Sequence, residues 1–97
     1  MVRSDPHLSD MKTIEQEITD RIFDRWGVLS KPLLDKEQAA YVLAISLGLG
    51  AIFNESAEAE RDWIQTPHRD LRTRPITAIL AGSFREVLCL VERERGL

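Results

Sequence analysis

From Ala39 to Phe53 the apolar run is interrupted only by Ser46, Gly48 and Gly50. A helix apolar on every side has no solvent face and belongs in the middle of a fold. Ala and Leu dominate and β-branched residues are few, which favours helix over buried strand. Asp35 can cap its start, and Gln38, three residues on, can reach back to close a capping box. The pattern predicts a central helix over 35–53, with Leu47 in the core. Gly48 and Gly50 each cost roughly 1 kcal/mol of helix propensity relative to Ala. Close approach of another helix would offset that cost, and a fraying helix end is the alternative. A membrane span needs ~20 apolar residues, more than this charge-bounded run supplies.

The flanking segments are amphipathic. Met11, Ile14, Ile18, Ile22 and Trp26 recur at three- and four-residue spacing, so they predict one stripe of a first helix. Ser9 is its expected cap and Gly27 its stop. Glu17 and Arg21 have the favourable acid-before-base spacing of four. Trp26 reads as packing, in the core or at a dimer contact. Val28 to Leu34 is a connector. Asn54 or Ser56 caps a third helix ending at Gln65, before Thr66-Pro67. Its acids, Glu58, Glu60 and Asp62, read as a solvated face near a helix N-terminus. His68 to Pro75 is a polar loop with three arginines. Pro75 begins a short helix to Ala81, with Ile76, Ile79 and Leu80 facing inward and Gly82 as its stop. Ser83 and Glu86 predict a second capping box. The last helix runs from Phe84 to about Arg95, with Phe84, Val87, Leu88 and Val91 as its stripe.

The predicted fold class is therefore all-α, a single small domain of about five helices around a central apolar helix. An arm, helix and connector (1–34) precede a helical unit (35–97). Ninety-seven residues suit one domain with a real core. A net charge of −3 argues against a dedicated nucleic-acid binder. One cysteine, Cys89, cannot form an internal disulfide and has no evident activating partner, so it reads as a packing residue. The first residues carry no apolar signal region, so the expected compartment is the cytoplasm. No nucleophile, metal spacing or cofactor motif stands out. The expectation is a protein that is not an enzyme, with no metal and no cofactor.

The order Trp63-Ile64, Thr66-Pro67, Leu71, Pro75-Ile76, Ile79-Leu80, Gly82, Val87, Val91 and Gly96 follows a long helix ending Ile52-Phe53. Together these resemble the toxin-binding domain of the Xre/MbcA/ParS antitoxin family. Arg21 to Gly27 also resembles the helix that precedes the DNA-binding part in that family. The similarity covers most of 14–97. There are three departures. His68 stands where the family has Asn, and Arg74 stands where it has Ser or Thr, so Thr73 caps one residue early or the end is uncapped. Val28 to Leu34, seven residues, leaves no room for the family's helix-turn-helix. Direct DNA binding is therefore not expected.

The resemblance implies an antitoxin that binds a RES-domain, NAD-degrading toxin, occludes its active site, and often dimerises. The implied partner-facing residues are Trp63, His68, Arg69, Arg72 and Arg74, together with Arg93, Arg95 and Leu97 at the C-terminus. An arginine-rich loop between two prolines could enter an anionic or phosphate-binding cleft; three solvated arginines are the equal alternative. Trp63 reads as core or as an interface hot spot, and His68 as a turn residue. Two other functions remain open: a helical interaction or dimerisation domain without a toxin, and a DNA-binding regulator.

Overall fold

A computed structural model describes residues 13–96. Among them are five helices and no strand: α1 (Ile14–Arg25), α2 (Lys36–Ile52), α3 (Ala57–Gln65), α4 (Pro75–Leu80) and α5 (Phe84–Glu94). The described chain is a small all-α domain, as its periodicity predicts. α2 packs against both α1 and α5, and α4 bridges α3 and α5.

The local signals set the helix ends. Asp35 and Gln38 form both bonds of the capping box, at 2.8 and 3.1 Å. Ser56, rather than Asn54, caps α3 by accepting from the Ala59 amide. Thr13 caps α1; the expected cap Ser9 lies, with Met11, outside the described residues. α1 and α4 both end in a left-handed glycine, Gly27 (φ +84°) and Gly82 (φ +95°). In each the following amide reaches back across the turn, Val28 to Phe23 and Ser83 to Ala78, both at 2.8 Å. This closure satisfies carbonyls that the last turn leaves open. It also explains why the second capping box does not form. Ser83 is held by the preceding turn with ψ 50°, and its side chain makes no capping bond. Arg74 likewise leaves α4 without a side-chain cap, and Pro75 opens that helix instead.

The core differs from the predicted stripes by small rotations. On α1 the buried line is Thr19, Ile22, Phe23 and Trp26. Ile14 is 74% exposed and Ile18 38%, so these two positions of the predicted stripe are not core. Thr19 can take a core place because its hydroxyl donates to the Gln16 carbonyl at 3.1 Å. On α5 Leu90 is buried and Leu88 only half-buried. Leu80, expected inward, is half-exposed at the end of a helix too short to turn all its apolar positions toward one neighbour.

Two glycines of α2 sit under close neighbours. Gly48 faces α5 so closely that a Cβ there would collide with Val91 Cγ1, so close approach, not fraying, explains that glycine. Gly50 lies beneath the folded-back Glu55 carboxylate. The expectation that α2 has no solvent face is wrong. Val42, Ile45 and Leu49 are fully buried, but Leu47 is 66% exposed and Leu43 38%. Among the described residues, the other helices cover α2 on the remaining sides and leave this one exposed.

Candidate protein-binding site

The residues between α3 and α4 form a tight, braced turn. Thr66 Oγ1 donates to the Asp62 carbonyl as α3 ends, and Pro67 blocks its continuation. His68 and Thr73 then pair across the turn, with the His68 amide donating to the Thr73 carbonyl at 3.0 Å. Inside this pair the amides of Leu71 and Arg72 both donate to the His68 carbonyl. The Asp70 amide donates to His68 Nδ1 at 3.1 Å. His68 is therefore a turn residue, as expected. Its ring also meets Trp63 edge-on at a centroid distance of 6.1 Å. Arg72 adopts a left-handed backbone (φ +59°), which costs an L-residue roughly 1–2 kcal/mol. Leu71 is half-buried against the core and pins the turn to the body.

Two side chains tie this turn to other elements. Arg93 on α5 meets Asp70 at 2.7 Å. Its hydrogen bond holds the Asp70 carboxyl below 3.8, its ordinary value, with the charges of Arg93, His68 and Arg69 adding to the effect. Arg74 donates to Gln65 Oε1 at 2.7 Å, and Gln65 Nε2 donates to the Trp26 carbonyl at 2.7 Å. That chain runs from the turn to the C-terminal end of α1.

Of the residues singled out in the sequence, Trp63, His68, Arg69, Arg72 and Arg74 come together here, joined by Arg93 from α5. Their roles divide. Arg74 and Arg93 brace the turn, and Trp63 is half-buried against the core cluster. Arg69 and Arg72 are exposed on the turn itself. Arg95 does not join them: its aliphatic stem approaches α2 at Gly48, and it lines a shallow groove with Ala51, Ile52 and Glu94. Leu97 lies outside the described residues.

A second polar cluster escapes the sequence reading. Glu60 is 3% exposed, so it is no part of a solvated acidic face. Trp26 Nε1 donates to its carboxylate at 2.6 Å, and Arg25 reaches the same oxygen at 3.0 Å. Arg25 also donates to Ser46 Oγ at 2.5 Å. A buried indole N–H needs an acceptor, and a buried carboxylate needs donors. A signal for Glu60 was present: it lies four residues before Ile64, on the same face of α3. Arg25, Ser46, Glu55 and Glu60 form the polar part of a groove of about 350 Å³ between α1, α2 and the start of α3, which Ile18, Ile22, Leu43 and Leu47 line with apolar surface.

Among the described residues no group of three His, Cys, Asp or Glu side chains is placed to hold a metal ion. No single described helix is long and apolar enough to cross a membrane. The ten residues between α1 and α2 hold no helix, so no helix-turn-helix lies there. The chain matches no protein-family model, no curated protein and no solved structure.

Proposed function

We propose that this protein is a non-catalytic inhibitor of antitoxin type that uses the turn between α3 and α4 to engage one protein partner. The observation that carries the reading is the placement of Arg69 and Arg72. Both are exposed on a turn closed by the His68–Thr73 pair and braced by Asp70–Arg93. A turn ordered before binding loses little conformational freedom on docking, which favours affinity. Guanidinium groups suit carboxylates of a partner's cleft, pairing with them in a bidentate way. The similarity to the Xre/MbcA/ParS toxin-binding domain makes a RES-type, NAD-degrading toxin the expected partner. The ten residues between α1 and α2 hold no helix, so operator binding by that segment is not part of the proposal.

Co-expression with the product of the adjacent reading frame tests the proposal. Co-purification of that product, with loss of its toxicity, is the expected result. Replacing Arg69 and Arg72 together by Ala is expected to weaken the complex while melting is unchanged. A harmless neighbour that does not bind would remove the antitoxin reading. Unchanged affinity in the double variant would remove the turn from the interface.

A further inference from the structure

The exposed face of α2 has an order that the partner-binding reading does not use. Lys36, Ala40, Leu43, Leu47 and Ala51 all lie on it, at spacings of four, three, four and four. This is close to the spacing of a seam along which two helices pack. The apolar part reads small, large, large, small: Ala40, Leu43, Leu47, Ala51. Reversed, it reads nearly the same. An antiparallel copy therefore sets Leu43 against Leu47 and Ala40 against Ala51, and the alanines let the backbones approach. A two-fold interface demands this self-complementarity, because each contact must occur twice with the partners exchanged.

The charges at the ends agree. Lys36 opens the line and Glu55 lies beyond its far end. The Glu55 carboxylate folds back over α2, where a Cβ on Gly50 would lie 2.7 Å from its Oε2. Among the described residues neither Lys36 nor Glu55 has an ion-pair partner. They stand at opposite ends of a 17-residue helix, about 25 Å long, so they cannot meet within one chain. In an antiparallel pair each Lys36 faces Glu55 of the other copy.

We infer that α2 is the centre of a two-fold homodimer, packed antiparallel on α2 of a second copy, with Leu47 of each chain seated in the groove beside Leu43 and Ile18 of the other. The groove of about 350 Å³ between α1, α2 and the start of α3 supplies the hole, and the 66%-exposed Leu47 supplies the knob. A lipid surface would call for a basic rim around the apolar face. Here the rim carries both signs, with Arg25 and Glu55 together on the groove, which suits a copy of the same chain. This surface is separate from the arginine turn, and the inference does not depend on the toxin reading.

Analytical ultracentrifugation of the full chain alone tests it. A dimer with a micromolar dissociation constant is expected. Leu47→Arg is expected to weaken it at least about tenfold, with the circular dichroism spectrum unchanged. Lys36→Glu and Glu55→Lys each weaken it at low salt. Two combinations restore it: the double variant, and an equimolar mixture of the two single variants, because both bring opposite charges together. Arg69→Ala with Arg72→Ala leaves it unchanged. A chain that stays monomeric up to about 100 μM, a Leu47→Arg variant that dimerises as tightly as the parent, or charge variants whose mixture associates no better than either alone would each overturn the inference.

Discussion

The indole of Trp26 and the carboxylate of Glu60 meet at 2.6 Å in the interior, across 34 residues of sequence. This bond joins the end of α1 to α3 and draws Arg25 onto the same oxygen. Glu60→Ala is expected to destabilise the chain by about 1–3 kcal/mol, because a buried donor loses its acceptor. Arg25 is more than one-third exposed, so water can recover part of its loss. Glu60→Gln keeps an acceptor and should cost less. Urea unfolding of both variants measures the difference; equal losses would show that charge, not the acceptor, is what Trp26 needs.

Gly48 permits the close passage of α2 against α5. Gly48→Ala gains helix propensity but drives a methyl into Val91, and overpacking of this kind typically costs about 1–3 kcal/mol. Val91→Ala makes room while opening a cavity. The double variant should therefore be more stable than the sum of the two single losses predicts. Strict additivity in a double-mutant cycle would mean that the two residues do not couple.

Ile45 and Leu47 are two positions apart on one helix and should behave oppositely. Ile45→Ala removes a fully buried side chain and should cost about 2–5 kcal/mol. Leu47→Ala should change stability by no more than about 0.5 kcal/mol when measured at a concentration where the chain is monomeric. Chemical denaturation at low protein concentration checks both. A large loss at Leu47 in the monomer would place it in the chain's own core.

Asp70 is held below its ordinary pKa of 3.8 mainly by the hydrogen bond from Arg93. A carboxylate with a depressed folded-state pKa stabilises above its unfolded value and loses that contribution as pH falls through the folded one. The stability difference between the parent and Asp70→Asn should therefore be present at about pH 5 and shrink toward about pH 2. Both partners are well exposed, so the difference should be small and fall with added salt. Melting curves across that range provide the check, and a difference that grows on acidification would contradict the sign.

Arg72 sits in a left-handed conformation that glycine adopts without strain. Arg72→Gly should keep the turn and leave melting near the parent's, since relief of strain and the greater freedom of the unfolded chain offset each other. Partner binding should still weaken. A strong loss of melting temperature would show that the Arg72 side chain, rather than its backbone, holds the turn.

The sequence by itself determined most of what depends on neighbours within about one helical turn; the Ser83–Glu86 box failed because the turn at Gly82 already holds Ser83. Asp35 with Gln38, and Gly27 and Gly82 after their helices, act through bonds spanning a few residues. Pro75 starts α4 through its own fixed φ, and the cap of α3 was narrowed to Asn54 or Ser56. Each is legible because the groups involved are close along the chain. The polar turn from His68 to Arg74 was visible for the same reason, as were its two bounding prolines.

Only the tertiary structure decided which faces are covered. α2 is apolar all round, so its pattern carries no directional signal, and its bare side is set by where α1, α3 and α5 pack. The division of the arginines depended on Asp70 meeting Arg93 across 23 residues and Arg74 meeting Gln65 across nine. Glu60 looked like one acid among several until folding set it beside Trp26. Spacing along one helix orders its side chains but does not say what stands opposite them, and burial, pairing and exposure are settled by what stands opposite.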